Sequence, residues 1–326
     1  MNRNEPFRRT INDFISEKRA IGYKYDKNEQ ILMRVANLHE KMGNTESVLP
    51  KELVVKWAEK TPYETETNRL HRISTLRGLA EYMQRIGLPA YSIPRKSIPY
   101  REGTYVPYIY TDDELARIFR AADNIISTAE TPFRQIQFSL LVRMLYGTGA
   151  RISELLNLEK QDFNLQQGTI LIRHSKLDKE RIIPVSESLR VRIISYMKEM
   201  AQYGVWHNTC YLFPNSVGNC YSPNSIYHYF RRILWDAGIS HGGRGKGPRV
   251  HDFRHTYAVH CLRNWTREDK DLTVALPYLS AYMGHAGARS TQYYLRLTAE
   301  LYPDIISRLD DAYGWMIPEV SYERNL

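Results

Sequence analysis

A break in composition at residues 92–108 is the feature that most constrains how this chain can fold. The stretch reads SIPRKSIPYREGTYVPY and holds three prolines and a glycine without helical or strand periodicity. Because proline disfavours a helical conformation in the residue before it, we predict an extended linker here. A chain of 326 residues is long enough for two domains joined in this way. We therefore predict one domain at residues 1–91 and a second at residues 109–326.

The first domain is predicted to be helical. Apolar residues recur at helical spacing within residues 31–42 and 73–83, and shorter amphipathic pieces lie at residues 11–15 and 53–57. Such a pattern is typical of a small bundle of about four helices.

The second domain is predicted to be mostly helical with one β-hairpin. Thr111 and Glu114 stand at capping-box spacing and mark its first helix. Two β-branched runs, Thr169–Ile172 and Arg181–Val185, flank a polar, charged turn. The predicted fold class is therefore mainly α with a small β-sheet or hairpin (α+β).

The charge of the chain favours a polyanionic partner. The formal net charge is +9, of which +6 falls in residues 1–106, and a basic surface attracts phosphate backbones. Charge alone fits simple solubility equally well. No apolar run approaches the roughly 20 residues that span a bilayer, and the N-terminus lacks the apolar segment of a secretory signal. Cys210, Cys220 and Cys261 form neither a disulfide framework nor a CxxC pair, so we expect a cytoplasmic protein.

Two segments of the second domain place a cation beside a turn. Arg151 follows Gly147 and Gly149 at a helix start, where a guanidinium can hold a phosphate through two hydrogen bonds. Lys176 lies in the hairpin turn, where an ammonium can donate a proton to a leaving oxygen. Each residue taken alone also fits an ordinary solvated surface position.

Two later segments combine histidine with arginine or tyrosine. His251 and Arg254 are three residues apart and share a helix face, with His255 close to it. A metal site built on His251, Asp252, His255 and His260 is the alternative, but the chain has no HExxH motif. Further on, His285 follows a glycine and precedes the sequence TQYY.

The order Arg, hairpin Lys, His-x-x-Arg, Gly-His and Tyr resembles that of the tyrosine recombinases, the phage integrase family. The matching segments are GTGARISELLNL at 147–158, SKLDKERIIPV at 175–185, HDFRHTYA at 251–258, and GH with TQYY at 284–294. The resemblance covers the second domain, and the helical domain before it is similar to the SAM-like core-binding domain of the family. It implies a site-specific recombinase that cleaves and rejoins DNA through a covalent 3′-phosphotyrosine, without metal or nucleotide cofactor.

The resemblance also implies a role for each matching residue. Arg151 and Arg254 would hold the non-bridging phosphate oxygens, and Lys176 would protonate the leaving 5′ oxygen, with Lys179 as the weaker candidate. His251 would exchange a proton with the tyrosine, since imidazole titrates near neutrality.

Supporting roles fall to two further residues. By the same resemblance, His285 would hydrogen-bond the phosphate, and the acidic Glu154 would orient its neighbours.

Either tyrosine of the TQYY pair could be the nucleophile, but not both. Neighbouring helical residues point about 100° apart, so Tyr293 and Tyr294 cannot face the same phosphate. Apolar residues four and eight positions after Tyr293 predict a packed ring, whereas Ser290 and Thr298 predict a polar face for Tyr294. The spacing from His285 in the family also leads to Tyr294, which we therefore predict to be the catalytic tyrosine.

The expected partner is double-stranded DNA that carries specific recombination sites. The linker and the glycine-rich segment HGGRGKGP at 241–248 supply the predicted DNA-binding residues, which are Arg95, Lys96, Arg101, Arg244, Lys246 and Arg249. The resemblance implies a homo-tetramer on two duplexes, assembled from monomers and joined through a C-terminal helix near residues 305–313. That helix could also pack on its own domain. No membrane partner is expected. No arm-binding domain is expected either, because the helical bundle occupies the residues that precede the catalytic domain. The resemblance also implies a prokaryotic, nucleoid-associated protein.

Other functions remain open at this point. A recombinase-derived DNA-binding regulator, a type IB topoisomerase-like enzyme and a histidine-dependent metallohydrolase would each share some of these residues. Within the recombinases, an integrase, a transposase and a multimer resolvase are not distinguished. Residues 262–277 make the interval between Arg254 and His285 longer than the family pattern, through either an added loop or altered helix packing.

Overall fold

The computed structural model describes residues 5–94, 106–173, 180–243, 247–284, 293–295 and 297–298. The chain divides into two compact units, Met1–Tyr105 and Val106–Leu326. The boundary falls within the stretch 92–108 that separates the two patterns of periodicity in the sequence.

In its described residues, the first unit consists of four helices around one apolar core. The helices are α1 (Glu5–Ala20), α2 (Asp26–Lys41), α3 (Lys51–Ala58) and α4 (Glu66–Arg85). All four contribute buried side chains, among them Phe14, Leu32, Leu53 and Leu79. Positive φ values at Gly43 and Gly87 follow the ends of α2 and α4, where only a residue without a Cβ adopts this backbone cheaply.

The second unit contains eight helices among its described residues. They are α5 (Asp112–Asp123), α6 (Arg134–Thr148), α7 (Ile152–Leu156), α8 (Glu187–Met200), α9 (Gly204–His207), α10 (Pro223–Asp236), α11 (Asp252–Arg267) and α12 (Leu272–Met283). The capping box predicted at α5 is confirmed, because Thr111 and Glu114 each accept a hydrogen bond from the backbone of the other.

A small antiparallel sheet accompanies these helices. Its strands are β1 (Phe163–Asn164), β2 (Thr169–Ile172) and β3 (Arg181–Pro184), paired in that order. Strands β2 and β3 are neighbours in the antiparallel sheet, and Ile172 stands opposite Arg181. The predicted fold class, mainly α with a small sheet, is confirmed; β1 is an addition that the sequence patterns did not indicate.

Helix α11 passes through the second unit and positions the site. Phe253 belongs to the main core, while Ala258, Val259 and Leu262 belong to a second cluster that α12 shares. Thr256 accepts a hydrogen bond from the backbone of Tyr110 at 3.0 Å, which ties the start of the unit to this helix.

The extra length of the interval before His285 is taken up by helix rather than by a long loop. Helix α11 continues to Arg267, and α12 begins at Leu272, where Asp271 caps it by accepting the Thr273 N–H at 2.8 Å. None of the described helices is both long and apolar enough to cross a membrane.

Candidate active site

Arg151 lies at the turn between α6 and α7, where the backbone holds it firmly. Gly149 ends α6 with φ +57°, and a Cβ there would meet the ring of Tyr257 at 2.6 Å, so this position requires glycine. Just beyond the turn, the Arg151 N–H and one guanidinium nitrogen donate to the carboxylate of Glu154, at 2.9 and 2.8 Å. The second guanidinium nitrogen reaches the carbonyl of Gly284 at 3.3 Å.

Arg254 enters the same region from α11 and is almost fully buried, with 3% of its surface exposed. Its two terminal nitrogens donate to the carbonyls of Gly149 at 2.8 Å and Met283 at 2.6 Å. Burial and the charge of Arg151 lower the pKa of Arg254 to about 10, which leaves the guanidinium charged at neutral pH. Among the described residues no carboxylate forms an ion pair with Arg254.

The C-terminal end of α12 is the common anchor of both arginines. The carbonyls of Met283 and Gly284 lie at the end of this helix, where backbone oxygens lack helical partners and the helix dipole favours cations. One helix end thereby sets the position of two guanidinium groups that come from separate parts of the sequence.

Tyr294 faces these cations from a short helical stretch. It is 4% exposed and lies close to the guanidinium of Arg254. Burial raises the pKa of the phenol, while the positive charge of Arg254 acts in the opposite direction. Deprotonation of this hydroxyl therefore requires a base and the nearby positive charge.

The structure reverses the expected environments of the two adjacent tyrosines. Tyr293, predicted to be packed in the core, is 42% exposed, whereas Tyr294, predicted to lie on a polar face, is buried. The reason is Thr298, whose hydroxyl donates to the carbonyl of Tyr294 at 2.8 Å and is itself fully buried. A threonine that satisfies its hydroxyl within its own helix can face the interior, so its polarity was a misleading guide.

His251 lies immediately before α11 and is linked to Tyr294 through the ring of His255. Its ring stacks edge-on with that of His255 at 4.9 Å between centroids, and His255 in turn lies 5.6 Å from the ring of Tyr294. Partial loss of water, followed by the charges of Arg254 and Arg151, lowers the pKa of His251 to about 4. The imidazole is therefore neutral near pH 7 and able to accept a proton.

Glu154 is the one buried carboxylate that contacts this group of cations among the described residues. Arg151 and Arg181 both donate to it, and Arg181 spans its two oxygens at 3.1 and 2.8 Å. Burial opposes ionisation, but these hydrogen bonds and charges outweigh it and lower the pKa of Glu154 to about 2. No sequence pattern distinguishes Arg181, because an arginine at the start of a strand is common.

Several predicted site residues lie outside the described residues. These are Lys176, His285, Arg95, Lys96, Arg101, Arg244 and Lys246, together with Lys179 and the predicted C-terminal helix. Of the predicted DNA-binding set, Arg249 is described; it is exposed, and its N–H donates to the buried Asp252 at 2.7 Å. Four predicted catalytic residues, Arg151, His251, Arg254 and Tyr294, therefore lie together around one site.

The histidines of α11 do not gather into a metal site. In the part of the chain that the structure describes, no three His, Cys, Asp or Glu side chains are placed to hold one ion. His260, the most distant of the candidate ligands, instead hydrogen-bonds the hydroxyl of Tyr146 at 3.0 Å. Asp252 accepts the backbone N–H of Arg249 and stabilises the turn into α11.

Comparison with known proteins gives one consistent result. Residues 110–300 match the Phage integrase family. The tyrosine recombinase XerC of Oceanobacillus iheyensis is 30% identical over 250 residues, which cover 73% of this chain and 73% of that protein.

Solved structures share the fold at lower identity. XerH site-specific recombinase bound to a palindromic difH substrate in a post-cleavage complex is 21% identical, with a TM-score of 0.62 over 89% of this chain and 79% of that one. A lambda integrase tetramer bound to a Holliday junction has a TM-score of 0.56 at 16% identity over 86% of this chain and 77% of that one.

The family match covers more than half of the chain, and it agrees with the similarity to the XerC recombinase. Together they define the class of protein. The chain belongs to the phage integrase family and is a tyrosine recombinase of the site-specific kind.

Proposed function

We propose that this protein cleaves and rejoins double-stranded DNA at specific sites through a covalent 3′-phosphotyrosine on Tyr294. The observation that carries the proposal is the buried guanidinium of Arg254, which has no carboxylate partner among the described residues and lies beside the buried ring of Tyr294. Buried charges in proteins are normally paired. A phosphodiester placed between Arg254, Arg151 and Tyr294 would supply the missing negative charge.

The cleavage step is a displacement at phosphorus. The Tyr294 oxygen forms a bond to phosphorus as its proton passes to His251, and the bond from phosphorus to the 5′ oxygen breaks. Lys176 supplies the proton that turns the leaving oxygen into a 5′ hydroxyl. Arg151 and Arg254 stabilise the charge on the non-bridging oxygens during the displacement.

Rejoining is the reverse reaction with a 5′ hydroxyl from another strand. It regenerates the phosphodiester and the free tyrosine, so the energy of the broken bond is retained in the protein–DNA link. The two guanidinium groups and Lys176 provide the positive charge, and the scheme uses neither a metal ion nor a nucleotide.

The same proposal extends to binding and assembly. Arg95, Lys96 and Arg101 in the linker, and Arg244, Lys246 and Arg249 before α11, would contact the phosphate backbone. His285 would donate a hydrogen bond to the scissile phosphate. We place the reaction in the cytoplasm, on a homo-tetramer that joins two duplexes; a lambda integrase tetramer on a Holliday junction shares the fold.

Covalent capture tests the proposal and recovers the target sequence in the same experiment. The protein is incubated with a pool of nicked duplexes that carry a randomised core, then denatured in SDS, and DNA still attached to protein is sequenced. The expected result is a recurrent sequence linked to protein in the presence of EDTA. A protein that binds DNA but yields no denaturation-resistant adduct would be a regulator, and an adduct that needs a metal would contradict the scheme.

A further prediction concerns pH. Because the pKa of His251 is about 4, the base remains neutral in mildly acidic solution. We expect the second-order rate constant of cleavage, which reports the free protein, to fall by less than about twofold between pH 7.5 and about pH 5.5. A base with an ordinary pKa near 6.5 would lose roughly tenfold over the same interval.

The measurement uses single-turnover cleavage of the recovered site at limiting DNA, with His251→Ala as the comparison. The variant should be slower at every pH in this interval. A tenfold loss in the wild-type protein by about pH 5.5 would contradict the lowered pKa of His251, and a His251→Ala variant that cleaves at the wild-type rate would contradict its assignment as the base.

A further inference from the structure

Arg181 lies far in sequence from the residues of the candidate site, yet its side chain contacts two segments that form the site. Its two terminal nitrogens donate to both oxygens of Glu154, and its Nε donates to the carbonyl of Tyr282 at 2.9 Å. The side chain is 12% exposed, so these bonds form away from most solvent. A planar guanidinium satisfies three acceptors at once only when both partner segments hold fixed positions.

The contact with the end of α12 is close enough to constrain the backbone there. Gly284 has φ +66°, and a Cβ at this position would meet the Arg181 guanidinium nitrogen at 2.9 Å. The carbonyl of Gly284 in turn accepts a hydrogen bond from Arg151, and that of Met283 accepts one from Arg254. Arg181 therefore packs against the short segment on which both predicted phosphate-holding arginines depend.

Glu154 connects Arg181 to the site by a second route. Its Oε1 accepts from the guanidinium groups of both Arg151 and Arg181, at 2.8 and 3.1 Å. Two guanidinium groups surround the single negative charge of Glu154, so one positive charge is left over. Arg151 can therefore still attract the phosphate. Without Arg181, the buried carboxylate would pair with Arg151 alone and neutralise it.

We propose that Arg181 is a positioning residue of the cleavage reaction, which holds Glu154 and the end of α12 so that Arg151 can bind the scissile phosphate. The inference rests on the proposed function. Arg181 is also the first residue of β3, so it ties the hairpin that carries Lys176 to the same point. It reaches no reacting atom itself and acts through its neighbours.

Four variants on the nicked duplex recovered by covalent capture test this role: Arg181→Met, Arg181→Lys, Arg173→Met and the double variant Glu154→Gln with Arg181→Met. Arg173→Met is the matched control, because Arg173 pairs with the buried carboxylate of Asp162 beside the same sheet, at 2.6 Å. Asp162 is a different carboxylate from Glu154, which pairs with Arg151 at the candidate site. It removes the same charge from beside a buried carboxylate, and the Arg173 side chain is the more exposed of the two, at 40% against 12% for Arg181.

We expect Arg181→Met to slow adduct formation at saturating DNA by about 100-fold, the cost of a displaced catalytic group, while DNA affinity changes by less than about threefold. Arg181→Lys should resemble Arg181→Met, since an ammonium cannot span the Glu154 carboxylate and reach the Tyr282 carbonyl. The double variant should be no slower than Arg181→Met, because the carboxylate that captures Arg151 is gone. Arg173→Met should cleave at the wild-type rate.

Amide hydrogen exchange provides a readout that does not depend on cleavage. Exchange at residues 151–156 and 279–284 should increase in Arg181→Met and stay at wild-type levels in Arg173→Met. If Arg181→Lys cleaves like the wild type, if the losses in the double variant add, or if exchange is the same in both methionine variants, the positioning role is wrong. If the wild-type protein forms no adduct, the proposed function fails, and the exchange experiment alone decides whether Arg181 organises these segments.

Discussion

Replacing Tyr294 with phenylalanine is expected to abolish the denaturation-resistant protein–DNA adduct while leaving DNA affinity nearly unchanged. The loss should be roughly a thousandfold or more, because no other group can take over a covalent step once its nucleophile is removed. The measurement is adduct formation on the nicked duplex, resolved by SDS electrophoresis, together with a binding titration on the uncleaved site.

The geometry makes Tyr294→Phe a clean change. The hydroxyl is the only group removed, and the ring remains beside His255 in the buried cluster that also includes Leu295 and Leu297. The Arg254 guanidinium keeps its two carbonyl acceptors in this variant, so its position should persist.

The adjacent tyrosine provides the matched control. Tyr293→Phe removes the same hydroxyl one residue earlier, from a side chain that is largely exposed. It should form adduct at the wild-type rate. If Tyr293→Phe loses the adduct and Tyr294→Phe retains it, the assignment of the nucleophile is reversed.

The sequence predicted the parts of this fold that depend on local pattern. The strands of the hairpin were placed within one residue, at Thr169–Ile172 and at Arg181–Val185 against the observed Arg181–Pro184. Alternation of β-branched residues and a polar turn are local signals, and so is the capping box at Thr111. The two-residue strand β1 has too few residues to show any alternation.

Burial at the site was not predictable in the same way. The polarity of Thr298 suggested an exposed face for Tyr294, yet the hydroxyl bonds within its helix and the residue is buried. Helical periodicity indicates which residues share a face. It does not indicate whether a polar face contacts solvent or a charged site inside the protein. For Tyr294, the neighbour that matters is Arg254, which lies on another helix.

The role of Arg181 shows the same limit more strongly. Its partners lie 27 residues earlier, at Glu154, and 101 residues later, at Tyr282. No pattern within the strand that contains Arg181 reports contacts at such separations. The family resemblance located Arg151 and Arg254 through short motifs, and the structure adds the residues that hold Arg151 in place.

Replacement of Arg254 is the second change that we expect to slow cleavage strongly. Arg254→Gln should lower the rate of adduct formation by roughly a thousandfold, because this buried cation stabilises charge that develops on the phosphate in a site of low dielectric. DNA affinity should fall far less, since most of it comes from exposed cations along the backbone.

A control on the same helix separates this effect from the loss of a charge. Arg263 also lies on α11, where it pairs with the exposed carboxylate of Asp112 at 3.3 Å, and Arg263→Gln should cleave normally. Melting temperatures of both variants establish that each is folded. An equal loss in the two variants would show that α11, and not the guanidinium at the site, had been disturbed.

A neutral substrate identifies what Arg254 does. Replacing one non-bridging oxygen of the scissile phosphate with a methyl group removes the negative charge that the guanidinium would balance. On this methylphosphonate, Arg254→Gln should be much less impaired relative to the wild type than on the natural phosphate, because there is little anionic charge left to stabilise. If the variant is equally slow on both substrates, Arg254 holds the carbonyls of Gly149 and Met283 in place and has no direct part in binding the phosphate.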